Sequence, residues 1–304
     1  MLVLPLAVTL ALVILAACAA PATTLRATPT HARPTVTPRP SPTATLGPAR
    51  YTAKILAHGA GSPDDLTLDA QGRLLFSDQA DGSVRRIEPD GHVTVLLRGL
   101  NEPEGIIALP DGALLIAVQG KDGQGIDDLV RLDAGSTVPV VLTTFVNHTG
   151  TPGLDGISLD PVTGDIIAAD SPNGKVYRVS QDGQRKTLLA SGFTRPTDAI
   201  ADAAGNVYVA DEFGNQVARI SPGGAVRVLA RLGLPDDLTF DVDGTLLVTL
   251  LEGSHLVRLD PATGRTLASL ASNLHEPQGL AVDGVGNIHL TEQLANVVLT
   301  LKRG

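Results

Sequence analysis

From Tyr51 to the end, this chain is one short pattern written six times. Each copy opens near a proline followed by polar residues and a small or apolar residue, runs through two or three apolar stretches of strand length, and turns at Asp-Gly or a similar pair. The openings are Pro63-Asp64-Asp65, Pro103-Glu104-Gly105, Asp155-Gly156 just after Pro152, Pro196-Thr197-Asp198, Pro235-Asp236-Asp237 and Pro277-Gln278-Gly279. Successive prolines lie 40, 49, 44, 39 and 42 residues apart. That spacing accommodates four short strands with their turns, the unit of a β-propeller, and it exceeds the period of leucine-rich solenoids. Helical repeats would need amphipathic windows with apolar residues three and four apart, and none occurs.

The first copy shows the grammar. Residues 65–69, 73–78, 83–88 and 92–98 alternate or run apolar, and Gly72, Asp81-Gly82 and Asp90-Gly91 punctuate them as hairpin turns do. The sixth copy lacks its fourth strand, because only Lys302, Arg303 and Gly304 follow residues 296–301. Residues 54–66 carry the same grammar as 228–238, where a fourth strand leads into the next opening. Residues 51–58 are therefore expected to complete blade six and close the ring, removing the edge that an open sheet would expose. The expected fold is all-β, a six-bladed propeller over 51–304.

The segment before it has another composition. Met1–Ala20 is almost wholly apolar and ends in Leu15-Ala16-Ala17-Cys18, and this cysteine is the only one in the chain. Residues 19–50 are rich in Ala, Thr and Pro, with Arg26, Arg33, Arg39 and Arg50 and no acid, a composition that buries no core and favours an extended stalk. All 32 acidic residues lie from Asp64 onward, so the propeller is more acidic than the chain's net charge of −9. An acidic domain without basic clusters excludes nucleic acid and anionic lipid as direct partners.

Propeller topology brings the blade openings and the ends of the second strands to one mouth of the central channel. This predicts an inner set of Asp64, Glu104, Asp155, Asp198, Asp236 and Gln278, and a further set of Asp78, Asp170, Asp211 and Glu292. Crowded carboxylates raise one another's pKa values unless a cation neutralises them, and oxygen donors with excess negative charge suit calcium or another divalent cation. Acids at such places also cap turns by bonding local N–H groups, which is the plainer role for any one of them. His58, His148, His255 and His275 fall in loops expected at the same face, where a histidine beside a carboxylate could activate water. His31, His92 and His289 are assigned to the stalk, the opposite face and the body of a strand. There is no cysteine nucleophile within the propeller, no phosphate-cradling loop between strand and helix, and no Gly-x-Ser-x-Gly elbow.

Residues 277–292 and 204–211 resemble NHL repeats, and residues 155–179 resemble the SMP-30/gluconolactonase superfamily of six-bladed propellers. The resemblance implies a divalent cation held through a first-blade acid and through the residues after the proline of two later openings. Here those positions hold Asp64, Thr197 and Asp236. The streptogramin lyase group is also similar, and it implies a histidine after the last opening proline with a glutamate closing the next strand; this chain has Gln278 and Glu292 there. Leu15–Cys18 resembles the lipobox of bacterial lipoproteins, which implies that residues 1–18 are a signal peptide and that Cys18 is acylated. No Lys or Arg precedes the apolar run, and an uncleaved anchor of just sufficient length to span a bilayer is the other reading. Either places the propeller outside the cytoplasm, held at the bacterial cell membrane.

Two functions follow as expectations. In the first, a monomeric lipid-anchored propeller binds a small-molecule ligand or a surface protein partner at its acidic mouth. In the alternative, the mouth is a divalent-metal-dependent lactone or ester hydrolase, with Asp236, Asp64, Glu104 and Asp155 as metal ligands and His148, His275 or Glu292 as catalytic candidates.

Overall fold

The computed structural model describes residues 45–46, 51–120, 125–147 and 153–304. Cys18, His148 and Pro152 lie outside the described residues. The repeats form six antiparallel sheets, whose inner strands are Pro63–Leu68, Pro103–Ala108, Leu154–Leu159, Pro196–Ala201, Pro235–Phe240 and Pro277–Val282. The second strands end at Asp78, Val118, Asp170, Asp211, Leu250 and Glu292. Among the described residues there is no α-helix, only one 3-10 turn at Ser171–Asn173.

Closure occurs as the repeat grammar requires. Tyr51–His58 pairs antiparallel with Val297–Arg303, from Tyr51 opposite Arg303 to His58 opposite Val297, and supplies the outermost strand of blade six. A further pair of residues, Thr45–Leu46, adds to the outer strand of blade five opposite Ser272 and Ala271.

The core lies between blades. Leu115, Leu129 and Phe145 of blade two pack on Leu154 and Ile166 of blade three, and Leu247 and Leu256 of blade five on Leu280, Leu290 and Leu299 of blade six. Every second strand is buried along nearly its whole length, because each is sandwiched by its neighbours on both faces. Apolar residues therefore run on rather than alternating there, as in Ile166–Asp170 and Leu246–Leu250. The turns between first and second strands follow from local chemistry. Asp69, Asp202 and Asp283 each take two backbone N–H groups of their own turn, and Gly72, Gly205 and Gly286 supply the positive φ that completes it.

One departure from ideal pairing builds the mouth. The register of the first two strands slips just after the opening residue in every blade, for instance between Pro63 and Leu66 and between Pro235 and Leu238. Such an irregularity bends the strand and re-aims side chains. It leaves two consecutive residues of each opening to line the channel at successive depths.

Candidate functional site: the acidic mouth of the channel

The first residue after each opening forms the outer tier, occupied by Asp64, Glu104, Asp155, Thr197, Asp236 and Gln278. Asp64, Glu104 and Asp155 each offer a carboxylate oxygen, and the three lie within 4.8 Å of one another. They come from blades one, two and three, whose inner strands pack on one another around the channel. Asp236 stands outside that trio but close enough for the charges of Asp155 and Asp64 to act on it. The Thr197 hydroxyl donates to the backbone carbonyl of Asp236 at 2.7 Å.

The second residue forms the inner tier, where Asp65, Asp198 and Asp237 share the ring with Gly105, Gly156 and Gly279. This corrects the expected inner set, because Asp198 sits one step deeper than Asp64 and Asp236. Its carboxylate accepts the Leu238 N–H at 3.1 Å, while Asp65 accepts the Ile106 N–H at 2.8 Å and Asp237 the Leu280 N–H. Each of these acids reaches the inner strand of another blade. The three glycines are required because a Cβ at any of them would lie within 3.0 Å of backbone from a neighbouring blade.

Above the outer tier lies a polar collar that the repeat pattern did not single out, made by the residue after each second strand. Gln79 donates its amide to Asp64 at 2.8 Å and to Glu104 at 2.7 Å, and Gln119 donates to the other oxygen of Glu104. Gln293 donates to Asp64 at 3.2 Å, and the Ser171 hydroxyl to Asp155 at 3.2 Å. In blade four the collar residue is Glu212, which pairs with Arg195. Arg195 also reaches Asp155 at 3.2 Å and lies 5.3 Å from the centroid of the Phe213 ring. Aligning the copies on the second strands would have exposed this collar, since five of its six members are polar.

Charge behaves as such crowding demands. Burial, then the charges of Asp64 and Asp155, push Glu104 well above the carboxylate range. Burial raises Asp155 to about 7 against the lowering pull of Arg195, with Asp64 raising it further. Asp236 is likewise held well above its ordinary value by burial and then by Asp155 and Asp64. An all-oxygen donor set whose members repel one another fits a hard divalent cation.

The acids that close the second strands divide. Asp78 accepts the N–H groups of Ser62 and Ala80, both at 2.9 Å, and Asp211 accepts those of Thr194 and Arg195 at 2.8 and 2.9 Å. Asp170 takes the Asn173 amide at 2.9 Å. These three brace loops of the mouth. Glu292 does not: its side chain, one methylene longer, is fully buried with neither oxygen partnered among the described residues, and burial raises it to about 7.

The histidines separate too. His58 ends the exposed outermost strand of blade six, away from the channel, and His255 opens the third strand of blade five. His275 lies in a loop leading directly to an opening, two residues before Pro277. His289 is in mid-strand, as expected, with burial lowering its pKa.

No family model matches the chain. Virginiamycin B lyase of Nocardia farcinica is 28% identical over 198 residues, which cover 64% of this chain and 64% of that relative's length. Among solved structures, a gluconolactonase from Xanthomonas campestris superposes with a TM-score of 0.69 at 19% identity, over 88% of this chain and 99% of that one. A catalytically inactive virginiamycin B lyase from Staphylococcus aureus with quinupristin gives 0.60 at 15% identity, over 83% and 85%. At these identities the likeness establishes a shared propeller fold; function has to come from the site.

Proposed function

We propose that the mouth is a divalent-cation site acting on a lactone or ester, in a propeller that is exported and tethered to the cell membrane through Cys18. The observation that carries this reading is the meeting of Asp64, Glu104 and Asp155 within 4.8 Å at the channel mouth. Those three residues would hold the ion; Gln79, Gln119 and Gln293 orient the Asp64 and Glu104 carboxylates by donating their side-chain amides, and the Ser171 hydroxyl donates to Asp155. A bound cation supplies charge that polarises a carbonyl and stabilises an oxyanion. Asp236, in blade five, has its pKa pushed well up by burial and then by the charges of Asp155 and Asp64, which favours its protonated form. Glu292, raised by burial to about 7, is poised to change protonation near neutral pH.

The likeness to virginiamycin B lyase favours a second reading, elimination at an ester. Glu292 closes the strand after the last opening as the resemblance to that group requires, but Gln278 has no basic atom. The proton would then pass to Glu292.

Calorimetry of calcium and magnesium binding to the full chain and to Asp155→Asn, with turnover of a panel of lactones and esters, tests the proposal. Cation binding that Asp155→Asn abolishes, together with turnover, supports it. Binding without turnover favours a ligand-binding mouth, and no binding by wild type rejects the cation. Incorporation of oxygen from labelled water separates hydrolysis from elimination.

A further inference from the structure

We propose that Arg195 is the anion receptor of this mouth and that its availability is set by the charge on Asp155. The proposal rests on the reading of the mouth as a cation-assisted ligand site and names the class of ligand, one bearing a carboxylate or similar anion.

Arg195 is the one basic side chain paired with an outer-tier carboxylate among the described residues. Its backbone is pinned on both sides: its N–H donates to Asp211 at 2.9 Å and its carbonyl accepts the Glu212 N–H at 2.9 Å. The side chain therefore pivots from a fixed base. One terminal nitrogen is held by Glu212 and the other reaches Asp155 at 3.2 Å, longer than a strong charge-assisted bond. The two ion pairs engage two of five N–H donors, and the planar fork retains capacity for a bidentate anion.

Phe213 supplies the second observation. It is an exposed aromatic ring, 58% accessible, in a chain with only eight Phe and Tyr residues and no Trp. It follows Glu212 directly, beside the guanidinium at the rim. A cation beside an exposed ring makes a platform on which a planar anion can pair and stack at once. Glu212 keeps the guanidinium at this rim position.

Asp155 belongs to two partnerships, with Arg195 and with the carboxylate trio. A dication bound by the trio would draw on the charge of Asp155 and repel the guanidinium, weakening its hold there. The released donors then face the ligand. Cation and anion thus bind cooperatively, although each alone would disturb a balanced pair.

The test uses the full chain and 4-fluorobenzoate, observed by fluorine NMR, as a planar carboxylate probe. Asp155→Asn removes the competing charge with no metal present, and it should tighten the probe about five-fold or more, the lower range of ordinary coupling between sites. Arg195→Gln should abolish probe binding in both the wild-type and the Asp155→Asn background, and Arg195→Lys should restore only part of it. Calcium should tighten the probe in wild type but not in Arg195→Gln. If Asp155→Asn tightens the probe equally with and without Arg195, the effect is a general field and the proposal falls. It falls as well if Arg195→Gln leaves binding unchanged. A wild type that ignores calcium while Asp155→Asn acts only through Arg195 sinks the cation reading and leaves the receptor standing.

Discussion

Glu292→Gln isolates the cost of a buried, unpartnered carboxyl. Burial raises this group from 4.5 to about 7, and no other cause contributes. The folded pKa lies above the unfolded one, so the folded state holds the proton more tightly. The stability that follows is fully present below about pH 4.5 and is lost as the pH rises through 7. At 1.36 kcal/mol per pKa unit the whole effect is about 3 kcal/mol. Glutamine keeps the shape and does not titrate. The stability of the variant minus that of wild type should therefore climb by about 3 kcal/mol between pH 4 and pH 8.5, or very roughly 6 to 12 °C in melting temperature for a domain of this size. Chelator-treated protein, melted at half-unit pH steps, reads the difference directly, and other titrating groups cancel between the two proteins. A stability difference that stays flat across that range would refute the argument, because it would mean that Glu292 reaches solvent or a donor when ionised.

Three further outcomes are expected. Calcium at about one hundred times its dissociation constant should stabilise wild type by about 2.7 kcal/mol through preferential binding to the folded state, and Asp155→Asn should abolish the shift in melting temperature; an equal shift in the variant would remove Asp155 from the site. Deleting residues 51–58 should strip the strand that pairs with Val297–Arg303 and expose that edge, giving aggregation or a broadened melt in place of one cooperative transition. Cys18→Ser should shift the protein out of lipid-labelled membrane fractions, and unchanged mass with retained labelling would exclude acylation there.

Blade number, strand order and ring closure were legible because each rests on local chemistry that recurs. Proline sets an opening, Asp and Gly set a turn, and a missing fourth strand at one end answers an extra strand at the other. The outer acids were legible for the same reason: Asp64, Glu104 and Asp155 stand at equivalent offsets, so a shared axis must gather them. What escaped was depth. The register slip after each opening turns two consecutive residues toward the channel, which separates Asp198 from Asp64 and puts Thr197 in the outer tier. No residue type announces such a slip in the chain, and Pro-Asp-Asp reads as a single acidic signal when it is two.

The same limit explains Glu292 and Arg195, and it shows where the chemistry resides. Asp78, Asp211 and Glu292 look alike in sequence, each closing a second strand, yet two are spent on backbone N–H groups and the third on none. Arg195 occupies an offset where the other blades carry Ser62, Glu102, Gly153, Leu234 and Glu276, so a search for repeated features passes over it. A repeat fold satisfies its polar groups by repetition, and each blade that conforms needs no further explanation. The positions that break the repeat, an orphaned carboxyl in blade six and a lone guanidinium in blade four, carry costs that the fold itself does not demand. Those costs persist only where something other than stability is served, which is why both residues are the first to test for function.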